Sequence, residues 1–247
     1  DLNKAIPMNR VTIEPLTWDS ELFGYPVGKI NLSDNTYTDK QELNTLLRNS
    51  KYSLIYIFTA HNQQETEKEI VSLGGKKVDE RIILSKNTEE YSSFQNQIID
   101  YSENNPNKQL IELALLSGHL SRFKTDTEFI NNEYNLLYNK WIENLLADNK
   151  FTRIFVAKHK AEIAGMITMT QKNEIATIGL LAVDKMYQRM NLGTELIKKA
   201  DTEACLMKCS RISVATQGKN TAATNIYVKC GFSIDSIIDV YHLRNSR

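Results

Sequence analysis

The chain has 247 residues, of which 41% are hydrophobic and 24% are charged, close to the averages of folded globular proteins. Its 30 basic and 30 acidic residues give zero net charge, which offers no electrostatic case for a nucleic-acid partner. No apolar run approaches the roughly 20 residues of a membrane span, and no basic-then-apolar signal pattern is present. We therefore predict a folded, cytoplasmic protein that does not insert into membranes. Its length fits two modest domains, or one domain with an N-terminal extension.

The first part of the chain alternates predicted strands and helices. The elements are extended segments over 12–14 and 27–31, a helix over 39–48, a strand over 53–58, a helix over 65–73 closed by Gly74, and a strand over 78–84. The chain then turns polar over 85–107, and its last residues, 102–107, are typical of a linker. We place the domain boundary there, with a first domain over 1–105 and a second over 106–247.

The second part is predicted to be a mixed α/β domain. Its elements are a buried strand over 109–116, a helix starting with Asp126 as N-cap, strands over 153–158, 163–171 and 174–183, a helix over 194–206, a strand over 211–216, a helix over 221–229 and a strand over 237–243. Short polar turns join the three central strands, which predicts an antiparallel meander. The order then ends in β-α-β-α-β.

Metal and disulfide sites are not predicted. Three cysteines without a C-x-x-C pair make a poor disulfide or zinc framework, and the four histidines are scattered singly. A weak internal echo is present: a shift of 157 positions matches 71–74 to 228–231 and the strands that follow. The echo has two open interpretations, a duplicated domain in which one copy has decayed, or the chance similarity of any two α/β segments.

The segment from Gly179 to Thr194 is the most informative. A strand ends, a loop turns and a helix starts, so several backbone N–H groups lack intrahelical acceptors. Those donors and the positive end of the helix dipole suit a pyrophosphate, which lets a neutral protein bind a phosphorylated ligand.

This segment resembles the acyl-CoA loop of the GNAT superfamily, Gln/Arg-x-x-Gly-x-Gly/Ala. Gln188 and Gly193 match, while Asn191 replaces the first glycine, a mild departure because Asn tolerates left-handed geometry. The resemblance implies a GNAT fold in the second domain, a smaller, incomplete GNAT-like first domain, acetyl-CoA as co-substrate without a metal, and a homodimer. The implied cofactor-binding residues are Leu181, Ala182, Val183, Gln188, Arg189, Met190, Asn191, Leu192, Gly193, Thr194, Asn220 and Asn225.

A second GNAT signature runs from Asn220 to Phe232 and resembles the family's Asn-x-x-Ala-x-x-x-Tyr-x-x-x-Gly-Phe helix. Asn220 is predicted to cap this helix. Tyr227 follows two turns later, about 700° around the helix axis and so on the same side. The resemblance implies that Tyr227 is the general acid beside the thioester sulfur. The alternative is a tyrosine that simply packs in the core.

Further blocks resemble one branch of the superfamily, the TDP-fucosamine acetyltransferases of enterobacterial common antigen synthesis. They are Ile13 to Asp19 with Phe23 and Gly24, Ser121 to Phe123, Trp141 to Asn144, Ile178 to Ala182, Val214 to Gln217 and Asn220 to Ala223. This resemblance implies surface polysaccharide biosynthesis and an acceptor amine on a dTDP-linked amino-dideoxysugar, such as dTDP-4-amino-4,6-dideoxygalactose.

The remaining candidate residues concern the acceptor. Many GNAT enzymes carry a carboxylate that acts as a base at the position of Thr177. Glu174 lies three residues before Thr177 and is expected on the opposite sheet face, where it could not replace that base. No direct base is therefore predicted, and the sugar amine would lose its proton to water. Arg122 and Phe123 are candidates for phosphate and thymine contacts, and His119 for a base or hydroxyl ligand. Each also has a structural interpretation, as a surface arginine, a core phenylalanine and a polar residue at a helix edge.

Two other functions remain open at this point. The same cofactor loop would serve a GNAT that acetylates a protein N-terminus, a lysine or another small amine. It would also serve a non-catalytic acetyl-CoA sensor.

Overall fold

The computed structural model describes residues 11–33, 40–148 and 150–245. The chain divides into two compact units. The first comprises the residues up to Arg81 together with those from Ile237 onward, and the second comprises Ile82 to Ser236. No helix of the described ranges is both long and apolar enough to cross a membrane.

Strands and helices alternate along most of the chain. The elements up to residue 100 are β1 (Glu14–Pro15), α1 (Thr17–Phe23), β2 (Val27–Leu32), α2 (Lys40–Arg48), β3 (Leu54–Ala60), α3 (Gln64–Ser72), β4 (Lys76–Asn87) and β5 (Gln97–Asp100). The later ones are α4 (Lys108–Ser117), α5 (Arg122–Thr125), α6 (Glu133–Ala147), β6 (Thr152–His159), β7 (Glu162–Lys172), β8 (Ile175–Val183), α7 (Leu192–Leu206), β9 (Arg211–Gln217), α8 (Thr221–Lys229) and β10 (Ser233–Arg244). This is the mixed α/β class that the sequence predicts.

The first unit is built around β3. Its apolar run pairs in parallel with β2 and antiparallel with the C-terminal part of β10, while β2 pairs antiparallel with β1. Ile55 and Ile57 of β3 lie in one buried cluster with Leu47 of α2 and Ile70 of α3. The predicted start of α2 at Asp39 lies outside the described residues, and α1 was not predicted.

The second unit contains the predicted meander. Strands β5, β6, β7 and β8 pair antiparallel in that order, and β8 then pairs in parallel with β9, beyond which lies β4. Helix α7 packs on one sheet face, in the cluster that contains Ile167 and Ile178. Helices α4 and α6 cover the other face, where Trp141 of α6 lies 3.7 Å from the Cβ position of Gly179.

Two predicted elements are wrong. The buried strand expected over 109–116 is helix α4, which Asn107 caps by accepting a hydrogen bond from Leu110 N at 3.0 Å. A short, continuously apolar run has no period that distinguishes a buried strand from a buried helix. The helix expected to start at Asp126 starts at Glu133, because Asp126 ends the short α5 and Asn132 is left-handed (φ 65°).

The division between the units differs from the predicted boundary at 105/106. The polar stretch over 85–107 contains β5, which pairs with β6, and Leu84 lies in the apolar cluster of the second unit. These residues therefore join the second unit rather than link two domains. The end of β10 from Ile237 onward belongs to the first unit, because it pairs with β3.

Candidate functional site

A β-bulge lies at the centre of the predicted site. The register of β7 with β8 shifts between Ile167 and Met169, and Leu180 N donates to Thr168 Oγ1 at 2.9 Å. Ile178 and Leu181 consequently pack on the same face, in the cluster with α7, although three positions separate them. Gly179 fits here because a Cβ would lie only 2.9 Å from Thr168 Oγ1.

Beyond this bulge, β8 has no parallel neighbour among the described residues. The pairing with β9 covers Ile175 to Ile178, and β8 continues to Val183 without further β9 partners. Asp184 N donates to Ala164 O of β7 at 2.9 Å. By strand alternation, the N–H groups of Leu181 and Val183 then point away from β7, towards the opening between β8 and β9. That opening offers backbone donors to a carbonyl or amide.

The loop after β8 leads to an open helix N-terminus. Arg189 (φ 66°) and Asn191 (φ 62°) are both left-handed, which confirms the expected tolerance of Asn191 for this geometry. Helix α7 starts at Leu192, two residues before the predicted Thr194. The side chain of Asn191 makes no capping hydrogen bond. The N–H groups of the first helical residues therefore lack intrahelical acceptors, as an anion site requires.

Gly193 brings this helix start close to its neighbours. A Cβ at Gly193 would lie 2.8 Å from Ile226 Cδ1 of α8 and 3.8 Å from Val183 Cγ2. The first turn of α7 thus packs directly against α8 and the end of β8. Gln188, the other matched motif residue, is exposed, and its Nε2 lies 3.4 Å from Val183 O.

Helix α8 places the predicted acid. Asn220 caps the helix, as predicted: its Oδ1 accepts from Ala223 N at 3.1 Å, while Asn225 is exposed. Tyr227 is only 3% exposed, and its ring centroid lies 5.5 Å from that of Phe232. Within the described ranges, no hydrogen bond occupies its hydroxyl. Burial, with a smaller contribution from Cys230, raises the pKa of Tyr227 well above its ordinary value, so the phenol is protonated at neutral pH.

On the acceptor side, Thr177 is exposed and its Oγ1 lies 3.3 Å from Ser213 Oγ of β9. Glu174 precedes the first residue of β8 and lies in the turn between β7 and β8. Strand alternation does not extend into the turn, so the expected place of Glu174 on the opposite sheet face stays a prediction.

The other acceptor candidates follow α4. His119 is exposed, and its Nδ1 lies 2.8 Å from Leu116 O. Arg122 stacks its guanidinium over the Phe123 ring at 4.4 Å. The Phe123 ring centroid in turn lies 5.6 Å from that of Phe129. These residues form a cation and aromatic cluster at the start of α5.

Two aromatic residues of α6 connect this segment to the bulge, and sequence reasoning did not assign them to the site. Trp141 lies against Gly179, and its ring centroid is 5.7 Å from that of Tyr138. The Tyr138 ring lies so close to Gly118 that a Cβ there would be 2.0 Å from Cζ. The turn that carries His119 and Arg122 therefore lies on the face that Trp141 covers.

A separate cluster in the first unit bears on the prediction that no metal is bound. His61, Glu80 and Asp239 place potential ligand atoms within 4.8 Å of one another. Lys77 Nζ already lies 3.0 Å from Asp239 Oδ1 and 2.9 Å from Glu80 Oε1. Burial alone would raise the pKa of Asp239. Hydrogen bonds from His61, Lys77 and Asn62 N outweigh burial, so the pKa lies below its ordinary value. A cation would have to displace the lysine.

Comparison with known proteins identifies a domain family within part of the chain. Residues 118–232 match the model of the acetyltransferase (GNAT) family. The dTDP-fucosamine acetyltransferase of Escherichia coli is 24% identical over 92% of this chain and 96% of its own length. A spore coat polysaccharide biosynthesis protein of Bacillus subtilis is 24% identical over 54% of this chain, which spans only 46% of that relative.

A solved structure has a similar fold. A functionally unknown conserved protein from Staphylococcus epidermidis superposes with a TM-score of 0.65 at 14% identity, covering 100% of this chain and 95% of that one. At this identity the likeness shows the fold alone, and it extends over both units.

Proposed function

Because the chain carries a domain of the GNAT acetyltransferase family, we propose that it transfers the acetyl group of acetyl-CoA to the amino group of a dTDP-linked amino-dideoxysugar, in the synthesis of a surface polysaccharide. The observation that supports this acceptor is the similarity to a dTDP-fucosamine acetyltransferase over 92% of the chain. The family match covers residues 118–232 alone and would fit any acceptor amine.

The opening between β8 and β9 supports acetyl-CoA as the donor. We propose that the N–H groups of Leu181 and Val183 bind the thioester carbonyl and the pantetheine amides. The N–H groups of Leu192, Gly193 and Thr194, at the start of α7, would bind the pyrophosphate. The loop residues Gln188 to Asn191 and the helix residues Asn220 and Asn225 complete the proposed cofactor site.

The reaction is direct attack of the free amine on the thioester carbonyl. The nitrogen lone pair forms the C–N bond, the carbonyl electrons move to oxygen, and the C–S bond breaks when the carbonyl reforms. Preorganised N–H donors stabilise the oxyanion of the tetrahedral intermediate. The amine loses one proton overall and the leaving thiolate gains one.

Tyr227 is the group that we propose protonates the thiolate. The tyrosinate then regains from water a proton that balances the one released by the amine. Its raised pKa keeps the phenol protonated, and its hydroxyl has no hydrogen bond within the described part of the chain that would compete with the sulfur. Such acid assistance contributes roughly 10² to 10⁴ in rate.

The amine needs no carboxylate base at position 177 in this scheme. Thr177 is neutral, and a sugar amine is less basic than a lysine, so a larger fraction of it is free base at neutral pH. Water would take the proton, and holding both reactants in position would supply much of the remaining rate. Arg122 and Phe123 would contact the nucleotide, and His119 a sugar hydroxyl.

Mass spectrometry of the purified protein with acetyl-CoA and a panel of acceptors tests the proposal. The panel contains dTDP-4-amino-4,6-dideoxyhexoses of galacto and gluco configuration, their 3-amino isomers, and peptides with a free N-terminus or lysine. We expect acetylation of a dTDP-aminosugar. Turnover of peptides without turnover of any aminosugar would instead establish a protein or small-amine acetyltransferase, and acetyl-CoA binding without turnover of any acceptor would indicate a sensor.

A further inference from the structure

Residues 88–96, named the strap here, lie along α7 and are bonded to its side chains. The hydrogen bonds are Glu89 N to Asp201 Oδ1 at 2.9 Å, Tyr91 N to Thr202 Oγ1 at 3.1 Å, and Gln95 N and Asn96 N to the Glu195 carboxylate at 2.8 Å each. All three acceptor residues of α7 are buried. Side chains of α7 therefore replace the strand or helix bonds that this backbone lacks.

Glu195 holds the end of the strap nearest the cofactor loop. It lies in the first turn of α7, is 4% exposed, and also accepts from Asn96 Nδ2 at 2.7 Å. The same Asn96 Nδ2 lies 3.4 Å from Met190 O. Met190 stands between the two left-handed residues of the loop. One buried carboxylate therefore connects the strap to the segment proposed to bind pyrophosphate.

We propose that Glu195 is a positioning residue for acetyl-CoA, which fixes the shape of the loop over 188–194 before the cofactor arrives. The inference rests on the proposed cofactor site. Hydrogen bonds to an ionised acceptor are the strong ones in proteins, and here three donors converge on one carboxylate. A loop that is already ordered loses less conformational entropy when it binds a ligand than a loop that becomes ordered on binding.

Electrostatics alone predicts the opposite sign. A carboxylate in the first turn of α7 places a negative charge near the helix terminus where the pyrophosphate would bind, so removing that charge should tighten binding. A positioning role predicts weaker binding in Glu195→Gln. The glutamine amide would present N–H groups to the strap donors, which need an acceptor, and the loop would lose its support. The direction of the change in affinity therefore separates the two effects.

The test is isothermal titration calorimetry with acetyl-CoA on the wild-type chain, Glu195→Gln and Thr202→Val. We expect Glu195→Gln to raise the Kd about tenfold, as the loss of a charged hydrogen bond implies. The kcat at saturating acetyl-CoA and the acceptor KM should stay unchanged. Thr202→Val releases the strap two turns further along α7 and should lower Tm with little change in Kd.

An unchanged or lower Kd in Glu195→Gln overturns the positioning role. An equal rise in both variants overturns it as well, since general loosening of the strap would then explain the effect. If the wild-type chain does not bind acetyl-CoA, the proposed function fails and this inference with it. Binding by the wild type with no difference between the variants leaves the proposed function intact and rejects the inference alone.

Discussion

The same strand-helix-strand segment occurs twice in the chain, separated by 157 positions. Strand β3, helix α3 and strand β4 have bounds that coincide with those of β9, α8 and β10 when 157 is added. The turn after the helix is also the same, with Gly75 N donating to Ile70 O and Phe232 N to Tyr227 O. Coincidence of bounds and turn bonds favours duplication over chance similarity, and we propose that the first unit is an incomplete GNAT-like copy.

The copies differ where chemistry would occur. Strands β2 and β3 pair in parallel over all six residues of β2, whereas β8 leaves β9 after Ile178. Ile70 occupies the position that corresponds to Tyr227, and Gln63 makes no capping hydrogen bond where Asn220 makes one. The comparison teaches that this scaffold persists without an opening, an acid or a capped helix. We propose that the opening and the acid serve function, while the cap at Asn220 stabilises its helix.

The largest expected effect is on kcat, when the proposed acid Tyr227 is changed and compared with its counterpart Ile70 in the first copy. Tyr227→Phe should lower kcat by about 10² to 10⁴, because the thiolate then leaves without a proton donor. Binding of acetyl-CoA, measured by calorimetry, should change little. The matched variant is Ile70→Val, which should lower the free energy of unfolding by about 0.5 to 1.5 kcal/mol and leave kcat unchanged. A Tyr227→Phe enzyme with wild-type kcat would reduce this tyrosine to a core residue.

A smaller effect tests the opening. Thr168→Val removes the hydroxyl that accepts from Leu180 N, and so favours an unbulged strand like those of the first unit. We expect the KM for acetyl-CoA to rise about tenfold, equivalent to about 1.4 kcal/mol, because the N–H groups of Leu181 and Val183 would no longer be held towards the opening. Thr170→Val, in the same strand beyond the bulge, serves as control and should leave the KM unchanged. Equal KM values for all three proteins would mean that the bulge does not shape the cofactor site.

The smallest effect concerns the helix caps. Asn220→Ala should lower the free energy of unfolding by about 1 kcal/mol, because Ala223 N loses its acceptor. Gln63→Ala in the other copy should change stability by much less, since Gln63 makes no such bond. Denaturant unfolding of both variants measures the difference, and similar losses would show that the two caps are equivalent.

Much of the second unit followed from sequence because its signals are local. Tight polar turns between apolar strands predict the meander, and the asparagine that replaces the first glycine of the loop motif predicts left-handed geometry at Asn191. Helix α4 was missed because its buried apolar run has no clear period.

The shape of the site depends on hydrogen bonds between side chains and the backbone of other elements. The bulge arises because Thr168, on the neighbouring strand, supplies an acceptor to Leu180 N, and the strap depends on a glutamate about 100 residues later. The sequence did contain signals of these bonds: a polar residue, Thr168, in an apolar strand, and a glutamate, Glu195, in a helix that packs on the core. Pattern analysis does not pair such residues across this distance.

Hydrogen–deuterium exchange with and without acetyl-CoA tests the central claim, that the cofactor site belongs to the second copy alone. The account predicts slower exchange in peptides covering 179–194 and 220–232, where backbone N–H groups gain ligand acceptors, and no change over 54–74. Protection over 54–74 of similar size, or its absence from 179–194, would contradict the account.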